Sequence, residues 1–449
     1  MKSTLLMGFL SRAVVLGGNI ILLPLILRGL SSAEYSIWMI FLTTLSLAIL
    51  LDCGFASVIS RYYTYVLSGC KQLPIDELKL HEVDSNCKDV DYSLFTLIYK
   101  FTNYLYFSLA ILSLTALYFI WEFYLYDLSI SKNIDIFLPW SIFSLSIIIT
   151  LYFNKFNAYF FGIKKVESIY KISMISGFSY IVIAIVLLNK DLGLLGLAIS
   201  KLISSLLYLA FGLYELKNSN EYKYLNNEKY LFKDYVDIFK RVQVAARNTA
   251  IFTFGSFLLN RSSTFFIAKY LPDKDAAGLL LMINLISTIT SVTYIYMNTK
   301  TPILNTAVYR GRKEDIVSTQ NDIFLKSIVF YLISAMSLIV IGDFLLELIS
   351  SNTRLPSIIV SCLVVFVYTF EVILAISTNF LMSHNNLCYA KYVAYSGLAF
   401  VLISYPLIHY FPYAETIILC QLFVQSLYNF WKWPLVVFNK IKNYKSKTV

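Results

Sequence analysis

The chain has 449 residues, of which 58% are apolar and only 14% charged, and its mean hydropathy is +0.67. Soluble domains run near roughly 45–50% apolar and 25% charged, so this composition excludes a disordered chain, a disulfide scaffold and an ordinary soluble enzyme. The formal charge of +10 sits in short connections between apolar runs, where it reports membrane orientation rather than nucleic-acid binding.

At roughly 35 residues per span and connection, the length holds about twelve membrane spans. Twelve apolar segments follow one another, numbered here spans 1 to 12: 4–27, 35–58, 94–120, 136–160, 168–188, 192–214, 248–270, 276–299, 323–349, 356–382, 389–411 and 413–438. They are too long for barrel strands, and lipid forbids open sheet edges, so the expected class is an all-α polytopic membrane protein. Span 1 begins like a signal peptide. Its apolar run continues to Leu27 without a small-residue cleavage site, so it reads as a retained span.

Basic residues test this topology. With the N-terminus inside, inner segments carry 28 Lys and Arg residues, and outer ones carry six: Arg28, Lys132, Lys190, Lys269, Lys274 and Arg354. Lys and Arg accumulate in cytoplasmic loops, so both termini are expected inside. One span more or fewer would scramble the split. The longest polar stretches, 59–93 and 215–247, both fall on the inner side. The second divides an N-terminal half, 1–214, from a C-terminal half, 248–449, which ends in a short basic tail. It reads as a cytoplasmic linker, partly helical and lying along the membrane surface.

The halves echo each other. LRGLSSAEYSIWMIFLTTL from Leu27 aligns with AKYLPDKDAAGLLLMINLI from Ala268, which sets Leu30 on Leu271, Arg28 on Lys269, Glu34 on Asp275 and Asn19 on Asn260. Spans 2 and 8 each end in a tail that closes with glycine, Gly69 and Gly311. Spans 1 and 7 run the same way, so this is a parallel repeat, an arrangement whose transport site lies between the halves near the midplane.

Apart from charges assigned to the loops and span ends, five charges within spans stand out: Arg12, Asp52, Lys201, Arg261 and Glu371. A lipid-facing charge at mid-span costs about 2.5–3.5 kcal/mol on insertion scales, so most should face a partner or a watery cavity. Arg12 shares a face with Asn19 and either lines that cavity or snorkels to the inner surface. Lys201 heads a polar stripe with Ser204, Ser205 and Tyr208, and either faces the cavity or pairs with an acid on a neighbouring span. Arg261, beside Asn260, is too deep in span 7 to snorkel comfortably. Glu371 either binds a coupling proton or sodium ion, or offsets Lys201 or Arg261. Asp52 is a further ion-coupling or charge-balancing candidate, whose plainer role is to bond a helix end. In span 8, Asn284, Ser287, Ser291, Tyr294 and Asn298 recur at three- and four-residue steps. Such a stripe is a wet face or a helix seam, and five members together favour water.

Other chemistry is thin. The six cysteines include no CxxC pair, and the three histidines have no metal-ligand spacing. No GxxxxGK[ST], HExxH or GxSxG motif occurs. No cofactor is expected, and the chain does not read as an enzyme.

Leu30, Glu34, Tyr35, Asp52, Gly54 and Arg61 lie in LRGLSSAEYSIW and LLDCGFASVISRYYTYVLSG, behind Arg12 and Pro24. This pattern resembles the multidrug/oligosaccharidyl-lipid/polysaccharide (MOP) exporter superfamily, and most nearly its bacterial O-antigen and polysaccharide flippases. YLPDKDAAG, Pro302 and Gly311 fit the same pattern in the second half, while Ser31 and Ser36 stand where the family commonly has glycine. The resemblance covers the whole chain in topology and only these segments in motif.

It implies two six-helix bundles around a central, V-shaped cavity. It implies movement of an undecaprenyl-pyrophosphate-linked oligosaccharide from the cytoplasmic to the periplasmic leaflet of a bacterial inner membrane. Membrane lipids are then partners, as are, as candidates, a polysaccharide polymerase and a chain-length regulator; nucleic acid is not. Arg12, Lys201 and Arg261 would be the substrate-binding cations, since guanidinium forks suit pyrophosphate, with Asn19, Asn284, Ser287, Ser291 and Tyr294 on the polar cavity face. A multidrug antiporter of the superfamily would share the fold but usually favours buried acids over buried bases. A polysaccharide polymerase would show a large external loop, and a structural scaffold would not need the buried charges.

The charge count makes a direct prediction. In a background stripped of native cysteines, single cysteines at Lys132 and Lys274 should react with an impermeant thiol reagent on intact cells. Cysteines at Lys223 and Lys313 should react only after the membrane is opened. Labelling at Lys223 in intact cells would overturn the topology.

Overall fold

The computed structural model describes residues 21–69, 73, 90–225, 229–384 and 386–446, with Met7, Val14, Gly17 and Gly18. Among the described residues every regular element is helical and no strand occurs. Nine helices there are long and apolar enough to cross a membrane, and they match spans 2 to 6 and 8 to 11. The chain is thus an all-helical, multi-pass membrane protein.

Several elements differ from their predicted extents. Span 2 is two helices, Ser32–Leu50 and Phe55–Leu67, joined by a turn in which Cys53 and Gly54 take left-handed backbone angles, φ 50° and 78°. Its second helix runs well past residue 58, because Val58, Ile59, Tyr62, Tyr63 and Val66 form a continuous buried stripe. Span 7 grows directly out of the linker as Phe232–Asn260, turns at Arg261 and Ser262, and resumes as Ser263–Tyr270. The break falls in the polar run Asn260–Ser263, where the Ser262 hydroxyl donates to the Leu258 carbonyl and competes with the helix ladder. Span 12 divides into Ala414–Ser426 and Asn429–Ser446. Spans 7 and 12 are therefore not single apolar helices.

Helix ends are read from side chains as expected for lipid-bound helices, whose terminal amides need partners. Ser31 and Glu34 form a reciprocal box at the start of span 2: the Glu34 N–H donates to Ser31 Oγ (3.2 Å) and the Ser31 N–H to Glu34 Oε2 (2.9 Å). Ser31 is thus a helix cap. Asp91 caps span 3 through the Leu94 N–H (2.9 Å). At the far ends, Gly69 and Gly311 both adopt left-handed backbone, φ 93° and 65°, which glycine enters without a Cβ penalty. The two hairpins of the sequence repeat thus close in the same way.

Two compact units emerge. Unit 1 holds Thr44–Ala250 with the described residues up to Leu30, and unit 2 holds Ser31–Thr43 with the described residues from Ile251 onward. In unit 1, span 6 packs on spans 4 and 5, span 3 on span 4, and the helix Phe55–Leu67 on Lys155–Gly162. Rings fill this last seam: Tyr63 lies 5.1 Å from Phe95 and 5.6 Å from Tyr159. In unit 2, span 8 packs on spans 9 and 10, and span 10 on both parts of span 12. Spans 7 and 11 touch backbone to backbone, since a Cβ at Gly255 would lie 2.5 Å from the Ala394 backbone and one at Gly397 would lie 2.7 Å from the Gly255 carbonyl.

That contact cannot yield as a flexible side chain can. Gly397→Val should lower stability by about 1–3 kcal/mol, the usual cost of overpacking, seen as a lower Tm of the purified protein. Gly29→Ala, whose added methyl meets only Leu188 at 3.6 Å, should leave Tm unchanged.

Candidate functional site

Unit 2 gathers polar side chains from several spans. Arg261 sits at the break in span 7, where its N–H still donates to the Phe257 carbonyl (2.9 Å) and its carbonyl accepts from the Thr264 N–H (3.2 Å). The backbone stays satisfied through the break, and the half-buried guanidinium acts electrostatically on the Tyr368 hydroxyl of span 10. Glu371 lies three residues beyond Tyr368, a spacing that places both on one helical face. Gln425 Nε2 of span 12 donates to Glu371 Oε1, and the buried Gln421 lies one turn earlier on the same helix. The Glu371 charge also reaches Tyr294 of span 8. On span 9 the Tyr331 hydroxyl donates to the Val365 carbonyl at 3.1 Å.

The expected residues are thus sorted. Gln425 contacts Glu371, and Arg261 and Tyr294 lie within electrostatic range of the span 10 face that holds Tyr368 and Glu371. Among the described residues no Lys, Arg or His nitrogen forms an ion pair with Glu371 within 4.0 Å, so its partner there is the Gln425 amide. Further along span 8, Asn284, Ser287 and Ser291 are half-buried and Asn298 is exposed. The Ser291 hydroxyl is spent on the Ser287 carbonyl at 2.8 Å.

Lys201 and Asp52 belong to unit 1. Lys201 is half-buried, with Nζ 5.5 Å from the centre of the Tyr180 ring. The stripe beside it is a helix seam rather than a wet face: Ser204 donates to the Ser176 carbonyl of span 5 (2.8 Å) and Ser205 to the Leu202 carbonyl of its own helix (2.8 Å). A hydroxyl in hydrocarbon finds the nearest carbonyl, which is why the spacing alone misleads. Asp52 stands at the turn in span 2. Tyr106 of span 3 donates to its Oδ1, and the Ala56 N–H approaches Oδ2 at 3.4 Å. This is the plainer role foreseen for it, bonding a helix end. Arg12 and Asn19 lie outside the described residues.

Sequence reasoning passed over Gln421 and Gln425. The signal was two amides four residues apart inside an apolar run, a pair that must share one face.

No protein-family model matches the chain, and no curated protein matches it in sequence. Its fold does match solved structures. An inward-facing multidrug resistance MATE family transporter of the MOP superfamily superposes with a TM-score of 0.68 at 12% identity, covering 99% of this chain and 100% of that one. A MATE in complex with MaD3S gives 0.54 at 12% identity, over 99% and 97% of the two chains. A MATE in the bent conformation gives 0.53 at 12% identity, over 100% and 99%. At such identities the likeness establishes the fold: this chain has the MATE-type helical fold along its full length.

The Glu371–Gln425 contact predicts a measurable coupling. Gln425→Leu leaves a buried carboxylate short of its donor, at a cost of about 1–3 kcal/mol. In a double-mutant cycle with Glu371→Leu, the second substitution should recover most of that loss in Tm. Additive losses would mean that the two side chains do not depend on each other.

Proposed function

We propose that the chain is a secondary transporter that carries an amphipathic organic solute across the bilayer by alternating access. The observation that carries this reading is the cluster of Arg261, Tyr368, Glu371 and Gln425, which places two charged side chains, Arg261 and Glu371, inside a membrane-spanning unit of MATE-type fold. Charge in that position is costly and marks ion and substrate paths in membrane proteins. The halves 1–214 and 248–449 are the proposed moving bodies, joined by the linker 215–247, with both chain ends in the cytoplasm.

Multidrug export is the substrate class that the fold neighbours support, since two of the three solved structures above are a multidrug resistance transporter and a MATE bound to a named ligand. A lipid-linked oligosaccharide is the second reading, and a specific observation favours it. Lys201 and Arg261 are bases inside spans, and among the described residues neither forms an ion pair within 4.0 Å. Such cations, with Arg12 as the proposed third, suit the pyrophosphate of a lipid carrier. In both readings Glu371 is the proposed coupling group. Its amide partner Gln425 can donate to a charged carboxylate or accept from a protonated one, so its occupancy can bias one conformation over another.

Flux into proteoliposomes separates these alternatives. The wild-type protein should move its substrate only under an imposed pH or sodium gradient, tested with a cationic dye and with a labelled polyprenyl-pyrophosphate oligosaccharide. If the carrier lipid is the substrate, Arg261→Ala should lower its flux by at least about tenfold, the worth of a charged hydrogen bond. Arg261→Lys should retain part, as a point charge replaces a fork. Glu371→Gln should remove gradient dependence. Failure to move either substrate would overturn transport, and intact gradient dependence in the Glu371→Gln protein would sink the coupling role.

A further inference from the structure

Away from the charged cluster, unit 1 contains a cavity of about 850 Å³ between the inner end of span 3 and the linker. Span 3 contributes Lys100, Asn103 and Tyr104, and the linker contributes Lys229, Tyr230, Phe232 and Tyr235. The walls are fastened. The Tyr230 hydroxyl donates to the Ser93 carbonyl at 2.8 Å, and Tyr104 meets Tyr235 edge to face with centroids 5.4 Å apart. A third ammonium stands behind the wall, where Lys155 Nζ donates to Asn103 Oδ1 at 2.8 Å and lies 3.7 Å from the Tyr152 ring centre. Lys100 Nζ lies 5.3 Å from the Tyr230 ring centre.

Among the described residues no acidic side chain lines this cavity. Asp234, next to Tyr235, accepts the Leu231 N–H at 2.9 Å and so caps the linker helix. The rim, by contrast, is apolar and open: Leu231, Phe232 and Tyr104 are 74%, 81% and 62% exposed. Exposed apolar side chains at the start of a surface helix are anchors in a lipid interface. Lys100 is eight residues past Tyr92, about 12 Å along the helix, a depth from which a lysine stem reaches the head-group layer.

We propose that this cavity binds the phosphate head group of an anionic lipid, with the acyl chains leaving past Leu231 and Phe232. The Lys and Arg distribution assigns that lipid to the cytoplasmic leaflet. Lys100 and Lys229 meet the phosphate, Asn103 carries the field of Lys155 to it, and the tyrosine rings enclose the glycerol region. A free phosphate would satisfy the lysines and leave the apolar rim uncovered. This site is separate from the Arg261–Glu371 cluster and does not depend on what the chain transports.

Native mass spectrometry of the purified protein with added phosphatidylglycerol tests the proposal. The wild type should retain the lipid, and phosphatidylcholine should bind far more weakly. Replacing both Lys100 and Lys229 by Gln should weaken phosphatidylglycerol by about 30-fold, two cations' worth of attraction to an anionic lipid. Replacing both by Arg should preserve binding. Tm of each variant reports folding, and single Lys→Gln variants serve if the double one does not fold. Equal phosphatidylglycerol affinity in wild type and folded Gln variants would overturn the site. Equal binding of phosphatidylcholine, or displacement of the lipid by inorganic phosphate, would overturn the anionic lipid as its occupant.

Discussion

Hydrocarbon offers no hydrogen-bond partner, so every polar group inside a span must find one within the chain. The Glu371 carboxylate shows what this constraint does. It is bound by an amide of Gln425 from another span, and that contact ties span 10 to the first half of span 12. The same rule acts at Asp52, where Tyr106 and the start of the helix Phe55–Leu67 converge on one carboxylate. It also acts on small hydroxyls, which return to carbonyls of their own or an adjacent helix, as at Ser204 and Ser291.

The two acids are held differently, and the difference bears on function. Asp52 is held between a phenol and a backbone N–H at a turn that left-handed Cys53 and Gly54 shape. Such a residue fixes the bend in span 2. Glu371 is held by the side-chain amide of Gln425, with Tyr294 and Tyr368 within electrostatic range. Amides can turn to present either a donor or an acceptor, so this carboxylate can change its charge without stranding a buried ion pair. That is the physical ground for assigning it the coupling role.

Much of the fold was legible in the sequence because membrane spans announce themselves by length and hydropathy, and nine of the predicted spans are long apolar helices among the described residues. The turn at Arg261 and the one after Ser426 were not legible, since a hydropathy window averages over a break of two residues. The inner helix Phe55–Leu67 was missed for a related reason: its buried Tyr62 and Tyr63 score as nearly polar. Of the candidate site, Arg261 and Glu371 were singled out from their cost in lipid and Tyr294 from the polar stripe of span 8. Gln421 and Gln425 were passed over because an uncharged amide carries less cost and drew less notice. The polar stripe after Lys201 looked like a water face, and tertiary packing turned Ser204 into a seam.

Alternating access is the central claim, and it is tested most directly at Tyr294, which lies on the Glu371 face of span 8. A single cysteine at Tyr294, in a cysteine-free background, can be probed with an impermeant thiol reagent in right-side-out and inverted vesicles. Alternating access predicts reaction from each side, in a ratio that an imposed pH or sodium gradient shifts. Reaction from one side only, unchanged by either gradient, would contradict it.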